Sequence, residues 1–143
     1  MGIGAIAVNQ HIPAIQAESG IVLCAAASHA GIVAGIENYK TLTELLAGSP
    51  EVEALTLCVP PPARFALARE AIAAGKHVFL EKPPGISVAE VAILESEARA
   101  AGVSLLASWH SRFAPAEEPL RARLAELDIN TVNETWREAV RVS

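Results

Sequence analysis

Ala74-Gly75-Lys76-His77-Val78-Phe79-Leu80-Glu81-Lys82-Pro83-Pro84 is the stretch of this 143-residue chain on which the fold class turns. His77 to Leu80 is a short apolar run with a β-branched and an aromatic residue. Gly75 before it stops a helix, so the run reads as an interior strand of a parallel sheet. Ligands of open parallel sheets lie beyond the carboxyl ends of the strands. Glu81 and Lys82 are therefore delivered to a site, while Pro83 and Pro84 each fix their own φ and push the preceding residue into extended geometry. Lys82 is the expected seat of chemistry. The plainer reading is an ion pair at a strand end.

Outward from this strand, helices and strands alternate. Gly4 leads into a helical stretch around Ala5 to Glu18, and Ile21 to Ala27 is a continuous apolar strand candidate. Thr41-Leu42-Thr43-Glu44 has the spacing of a capping box, opening a helix to about Ala47 that Gly48 ends. Ala54 to Val59 is the next strand, stopped by Pro60, Pro61 and Pro62. A helix from about Ala63 to Ala74 ends at Gly75 in the left-handed C-terminal position. Ser87-Val88-Ala89-Glu90 opens a further helix to Ala101, with Gly102 after it and a strand from Val103 to Ala107. Strands and helices in this order with short loops predict βαβ units, an α/β fold with a doubly wound, Rossmann-like parallel sheet.

Composition narrows the classes of function. No apolar run approaches the roughly 20 residues of a membrane span. The start Met1-Gly2-Ile3-Gly4 lacks a secretory pattern, so the expected location is cytoplasmic. A net charge of -5, spread along the chain, argues against nucleic acid and anionic membranes as partners. Cys24 and Cys58 sit in apolar strand candidates and match no metal-ligand spacing, so both read as packing residues and no metal site is expected.

Gly2, Gly4 and Ala7 fit the glycine-rich fingerprint that brings a dinucleotide pyrophosphate onto a helix N-terminus. Its confirming context is a preceding strand, and the chain shows none before Met1. The residues read either as a nucleotide-binding turn or as an N-terminal arm. An acid at the end of the second strand would bind ribose hydroxyls, but Ala27-Ser28-His29 offers none, which favours NADP or at least tolerates it beside NAD. Ser28 and His29 are thus candidate cofactor contacts, or ordinary loop polarity. His77 reads as structural, and His11 as capping or padding the first helix.

The Gly-Lys-His-Val strand followed by Glu-Lys-Pro resembles the Gfo/Idh/MocA family of nicotinamide-dependent sugar oxidoreductases. Glu81-Lys82-Pro83-Pro84-Gly85, Trp109-His110-Ser111-Arg112 and Trp136-Arg137-Glu138 are similar to its aldose 1-dehydrogenase branch. Those enzymes oxidise galactose or arabinose at the anomeric carbon to a lactone. The resemblance covers nearly the whole chain and implies roles for single residues. Lys82 would stabilise the oxyanion that develops as hydride leaves and orient the sugar. Glu81 would hold the turn or the lysine at the cofactor. Pro60 and Pro61 stand where the family contacts the nicotinamide half. His110 would hydrogen-bond a sugar hydroxyl, and Glu138 aligns with a carboxylate that contacts the sugar.

The resemblance also implies a boundary. Residues 1–114 correspond to the dinucleotide-binding domain without its first strand. Residues 115–143 correspond to a connecting helix, expected from Pro115 to Glu126, and a strand from Asn130 to Val142 that begins a second, substrate-binding sheet domain. A lone edge strand seeks partners, so a homo-oligomer through that sheet is expected. Three readings stand: the cofactor domain of an NADP-preferring aldose 1-dehydrogenase, a truncated non-catalytic nucleotide-binding fragment, or a sugar-sensing regulator.

Overall fold

The computed structural model describes residues 1–128 and 131. The chain divides into two compact units, Met1–Trp109 and His110–Ser143. The first unit carries five strands, β1 (Ala25–Ala27), β2 (Glu37–Tyr39), β3 (Ala54–Leu57), β4 (His77–Leu80) and β5 (Leu105–Ala107). Every pairing is parallel. They form two sheets, β1 with β2, and β3, β4 and β5 side by side in that order. Four α-helices are interspersed with them, β1 and β2 being joined without one: α1 (Ile12–Ala17), α2 (Leu42–Gly48), α3 (Pro61–Ala73) and α4 (Val88–Ala101). The expected α/β fold with parallel strands and crossover helices is the fold observed.

The decisive strand sits as its sequence demands. β4 is flanked by β3 and β5, with Leu55 opposite Val78 and Leu57 opposite Leu80. These four side chains are buried in one cluster with Ala68, Ala71 and Ile72 of α3 and Leu94 and Ala98 of α4. Phe79 points to the other face, since strand side chains alternate, and meets the ring of His11 edge-on at 5.6 Å. One face of the sheet is thus covered by α3 and α4, while the Phe79 face is covered only in part, with Leu106 58% exposed.

The helix ends follow local chemistry. Thr41 and Glu44 form the reciprocal capping box ahead of α2. Gly48 is the last residue of α2, where a Cβ would come within 2.5 Å of the Tyr39 hydroxyl oxygen. α3 begins at Pro61, two residues earlier than expected, because proline suits the first helical turn, where no intrahelical N–H bond is lost. It ends with Gly75 at φ +72°. There Lys76 N–H donates to Ala71 O and Gly75 N–H to Ile72 O, the paired bonds of a left-handed helix stop. Ser87 accepts from Glu90 N–H ahead of α4, but the Glu90 carboxylate accepts from Ile86 N–H. The second box is therefore half formed.

Two further expectations are corrected, and one strand was not expected. The strand over Ile21 to Ala27 is confined to Ala25–Ala27, where the ladder to β2 exists. β2 itself, with its Glu-Asn-Tyr sequence, has no apolar signal to announce it. The first helical stretch, residues 5–17, contains a π-helical turn at Ala7–His11.

Met1 and Gly2 stand between the two sheets. The Met1 ammonium donates to Thr56 O at 2.7 Å, Cys58 N–H donates to Met1 O, and Gly2 N–H donates to Ala27 O. Met1 thereby bridges Thr56 and Cys58 in parallel-strand fashion, and Gly2 adds a single bond to the end of β1. Beside them lies an apolar groove of about 470 Å³, lined by residues that include Ile15, Cys24, Leu55 and Phe79.

In the second unit, a 3₁₀ turn at His110–Phe113 precedes α5 (Glu117–Ala125). This helix is shorter than expected at both ends. The Asn130 to Val142 strand, with Trp136 and Glu138, lies outside the described residues apart from Thr131.

Candidate functional site

The carboxyl ends of β1, β3 and β4 and the glycine turn gather the first unit's candidate residues. Main-chain bonds set the turn. Gly2 has φ +84°, and a Cβ there would lie 2.9 Å from Val59 Cγ1 and 3.1 Å from Val59 N. Only glycine fits that approach. Gly4 differs, because a Cβ on it would meet nothing within 4 Å. The helical stretch starts at the next residue, and Ala7, 3% exposed, packs beneath it. At the end of β1, Ser28 N–H donates to Tyr39 O and the Ser28 hydroxyl accepts from Ala30 N–H at 3.2 Å. His29 is exposed.

The end of β4 is built more firmly. Arg64 of α3 is 3% exposed. Its guanidinium donates to the main-chain oxygens of Glu81 and Pro83 and, at 2.5 Å, to Val59 O. One buried side chain therefore ties the end of β3 to both sides of Lys82. Burial draws its pKa below the ordinary arginine value, with Glu81 and Cys58 opposing; a guanidinium still stays charged.

Glu81 is half-buried. One carboxylate oxygen lies 2.7 Å from His11 Nε2, and the other accepts from Lys82 N–H at 3.0 Å. Burial alone would raise its pKa. The bonds from His11 and Lys82 N–H outweigh burial and hold the carboxyl below its ordinary value. An ionised carboxylate is acceptor-only, so His11 Nε2–H donates. Lys82 itself is exposed beyond this brace, and its peptide bond to Pro83 is cis. Pro60 is exposed and Pro61 half-buried at the start of α3.

Glu81 thus holds the turn, one of the two roles expected of it. His11 does not cap or pad its own helix: it spans 70 residues of sequence to reach Glu81. His77 accepts from Ser104 N–H through Nδ1, a structural bond. Cys24 and Cys58 are both free and half-buried. His110 belongs to the second unit, and Glu138 lies outside the described residues.

Residues 1–108 match the family described as "Oxidoreductase family, NAD-binding Rossmann fold", the GFO_IDH_MocA group. The chain belongs to this family. Among its relatives, a galactose 1-dehydrogenase of Pseudomonas fluorescens is 39% identical over 141 residues, 99% of this chain and 45% of that protein. The crystal structure of a D-galactose-1-dehydrogenase from Rhizobium etli superposes with a TM-score of 0.83 at 48% identity, covering 87% of this chain and 40% of that one. A 3-ketoreductase from Actinomadura kijaniata in complex with TDP-benzene and NADP gives a TM-score of 0.78 at 26% identity, over 87% of this chain and 42% of that one. The chain spans under half the length of these relatives.

The residues present fit the dinucleotide of an NAD(P)-binding domain. The open space over Gly4 lets a pyrophosphate approach the backbone at a helix start, and buried Ala7 allows the close helix packing that the third fingerprint position needs. Two residues of this edge escaped sequence reasoning. Arg64 carried a signal: Arg64, Ala68, Ala71 and Ile72 follow the i, i+4, i+7, i+8 spacing of a buried stripe, and a charge on such a stripe needs partners. His11 carried none, since its partner is remote in sequence.

Proposed function

We propose that the chain is the cofactor-binding part of an aldose 1-dehydrogenase, which moves hydride from C1 of an aldose such as galactose or arabinose to NADP, or to NAD, and leaves the lactone. The observation that carries this reading is the gathering of the glycine turn, Ser28 and the braced Glu81-Lys82-Pro83 turn at one strand-end edge, in a chain 48% identical to a galactose dehydrogenase.

When bound, the nicotinamide ring would accept the hydride. The chain's own part is electrostatic and positional. Gly2, Gly4 and Ala7 would hold the pyrophosphate, while Ser28 and His29 would face the adenosine ribose. The lack of an acid beside Ser28 leaves room for a 2′-phosphate and favours NADP. The ammonium of Lys82 would stand by the anomeric oxygen, stabilising negative charge as its proton leaves and fixing the sugar's orientation. Pro60 and Pro61 shape the nicotinamide end, with Glu81 holding the lysine's backbone. His110 and Glu138 are the proposed sugar contacts, and the substrate-binding sheet is the proposed surface for a homo-oligomer.

Fluorescence titration of NADPH and NADH tests the cofactor half, with saturable binding and tighter NADPH expected. Binding of neither nucleotide would overturn it. In the full encoded protein, Lys82→Met should lower galactose-dependent reduction of NADP by about a hundredfold or more, with nucleotide affinity within about threefold. Unaltered turnover would remove Lys82 from the chemistry.

A further inference from the structure

His11 closes the helical turn that follows the glycine loop, and its Nε2–H reaches across to Glu81 at the end of β4. The other oxygen of the same carboxylate accepts from the backbone N–H of Lys82 at 3.0 Å. The ring is fixed from a second side by its edge-on contact with Phe79. Both partners are largely shielded, with 16% and 14% of their side-chain surfaces exposed. A hydrogen bond to a charged group in such surroundings is stronger and more directional than one in water. Continuous covalent and hydrogen-bonded structure therefore runs from the glycine turn, through the first helix and His11, to Glu81 and the Lys82 backbone. Arg64 holds the same turn independently, through its carbonyls. The π-helical turn at Ala7–His11 fits this role, since such turns re-aim side chains and concentrate at functional sites.

We propose that His11 is a positioning residue that locks the Lys82 turn to the helix receiving the nucleotide, so that cofactor and lysine share one rigid frame. The inference rests on the functional reading above for what the frame serves, but the brace itself is testable without nucleotide. His11 touches neither substrate nor reacting atoms and acts through Glu81.

The test is residue-resolved amide hydrogen exchange on the chain, comparing His11, His11→Leu and His11→Gln. Loss of the bond in His11→Leu should speed exchange at Lys82 N–H about tenfold. Val78 N–H, which donates to Ser104 O within the sheet, should change by less than about threefold. His11→Gln retains an N–H donor and should recover most of the Lys82 protection, which simple side-chain padding by Leu would not. NADPH added to the native chain should slow Lys82 exchange further, and in His11→Leu it should bind without that effect. Equal Lys82 exchange in all three proteins, or uniform acceleration along β4, would overturn the proposal. Failure of NADPH to bind the native chain would instead count against the nucleotide reading, and the nucleotide-free comparison would still decide the brace.

Discussion

The glycine turn and the Glu81-Lys82-Pro83 turn lie at the same strand-end edge, yet they are built on different principles. The hydrogen bonds of the glycine turn are all main-chain, with open space above Gly4 and exposed His29 beside it. The lysine turn is gripped by side chains from two other elements, Arg64 through its carbonyls and His11 through Glu81. Under the proposed function, the contrast matches what each end would do. A large, flexible nucleotide needs room and donors, whereas a group that stabilises developing charge must be held in place before the reaction.

The contrast breaks most sharply at Arg64. Arg64→Leu should destabilise the first unit by about 3–5 kcal/mol, because the carbonyls of Val59, Glu81 and Pro83 lose their donor inside the protein. Urea unfolding measures this, and a cost below about 1 kcal/mol would mean that the brace is dispensable.

The two glycines should separate. Gly2→Ala meets both a positive φ and a contact with Val59, and should cost about 1–3 kcal/mol. Gly4→Ala has free space, so its thermal unfolding should stay within about 0.5 kcal/mol of the native chain while NADPH affinity falls about tenfold, because the new methyl group would occupy the proposed pyrophosphate approach. Equal stability effects would erase the distinction between a packed and an open glycine.

Glu81 gives a smaller, pH-dependent effect. Its folded pKa lies below the unfolded value, so its contribution is fully present above the ordinary carboxylate range near pH 4.3 and is lost as pH falls through the lower folded pKa. Glu81→Gln should therefore cost about 1–2 kcal/mol at neutral pH, with the difference shrinking under acid. A pH-independent difference would point to packing instead.

Much of this was legible because it is local. The apolar run His77 to Leu80, the Thr41 capping box and Gly75 each declare themselves within a few residues, since helix caps and strand patterns are short-range physics. β2 was hidden because Glu37-Asn38-Tyr39 pairs through its backbone while its side chains stay mostly exposed. Ile21 to Cys24 looked like strand because the run is apolar, yet Ile21 and Val22 are exposed at the rim of the apolar groove and pair with no ladder. Glu81 and Lys82 could be placed at the carboxyl end of β4 from strand polarity alone. The Arg64 and His11 braces could not, as their partners lie 5 to 19 and 70 residues away in sequence and meet only through the fold.

Titration of the isotopically labelled chain with NADP, followed by amide chemical shifts, tests the central claim most directly. The account predicts saturable changes at the glycine turn, at Ser28 and His29, and at Glu81 and Lys82, with one shared affinity. Changes confined to other surfaces, or none at millimolar nucleotide, would contradict the assignment of this edge as the cofactor site.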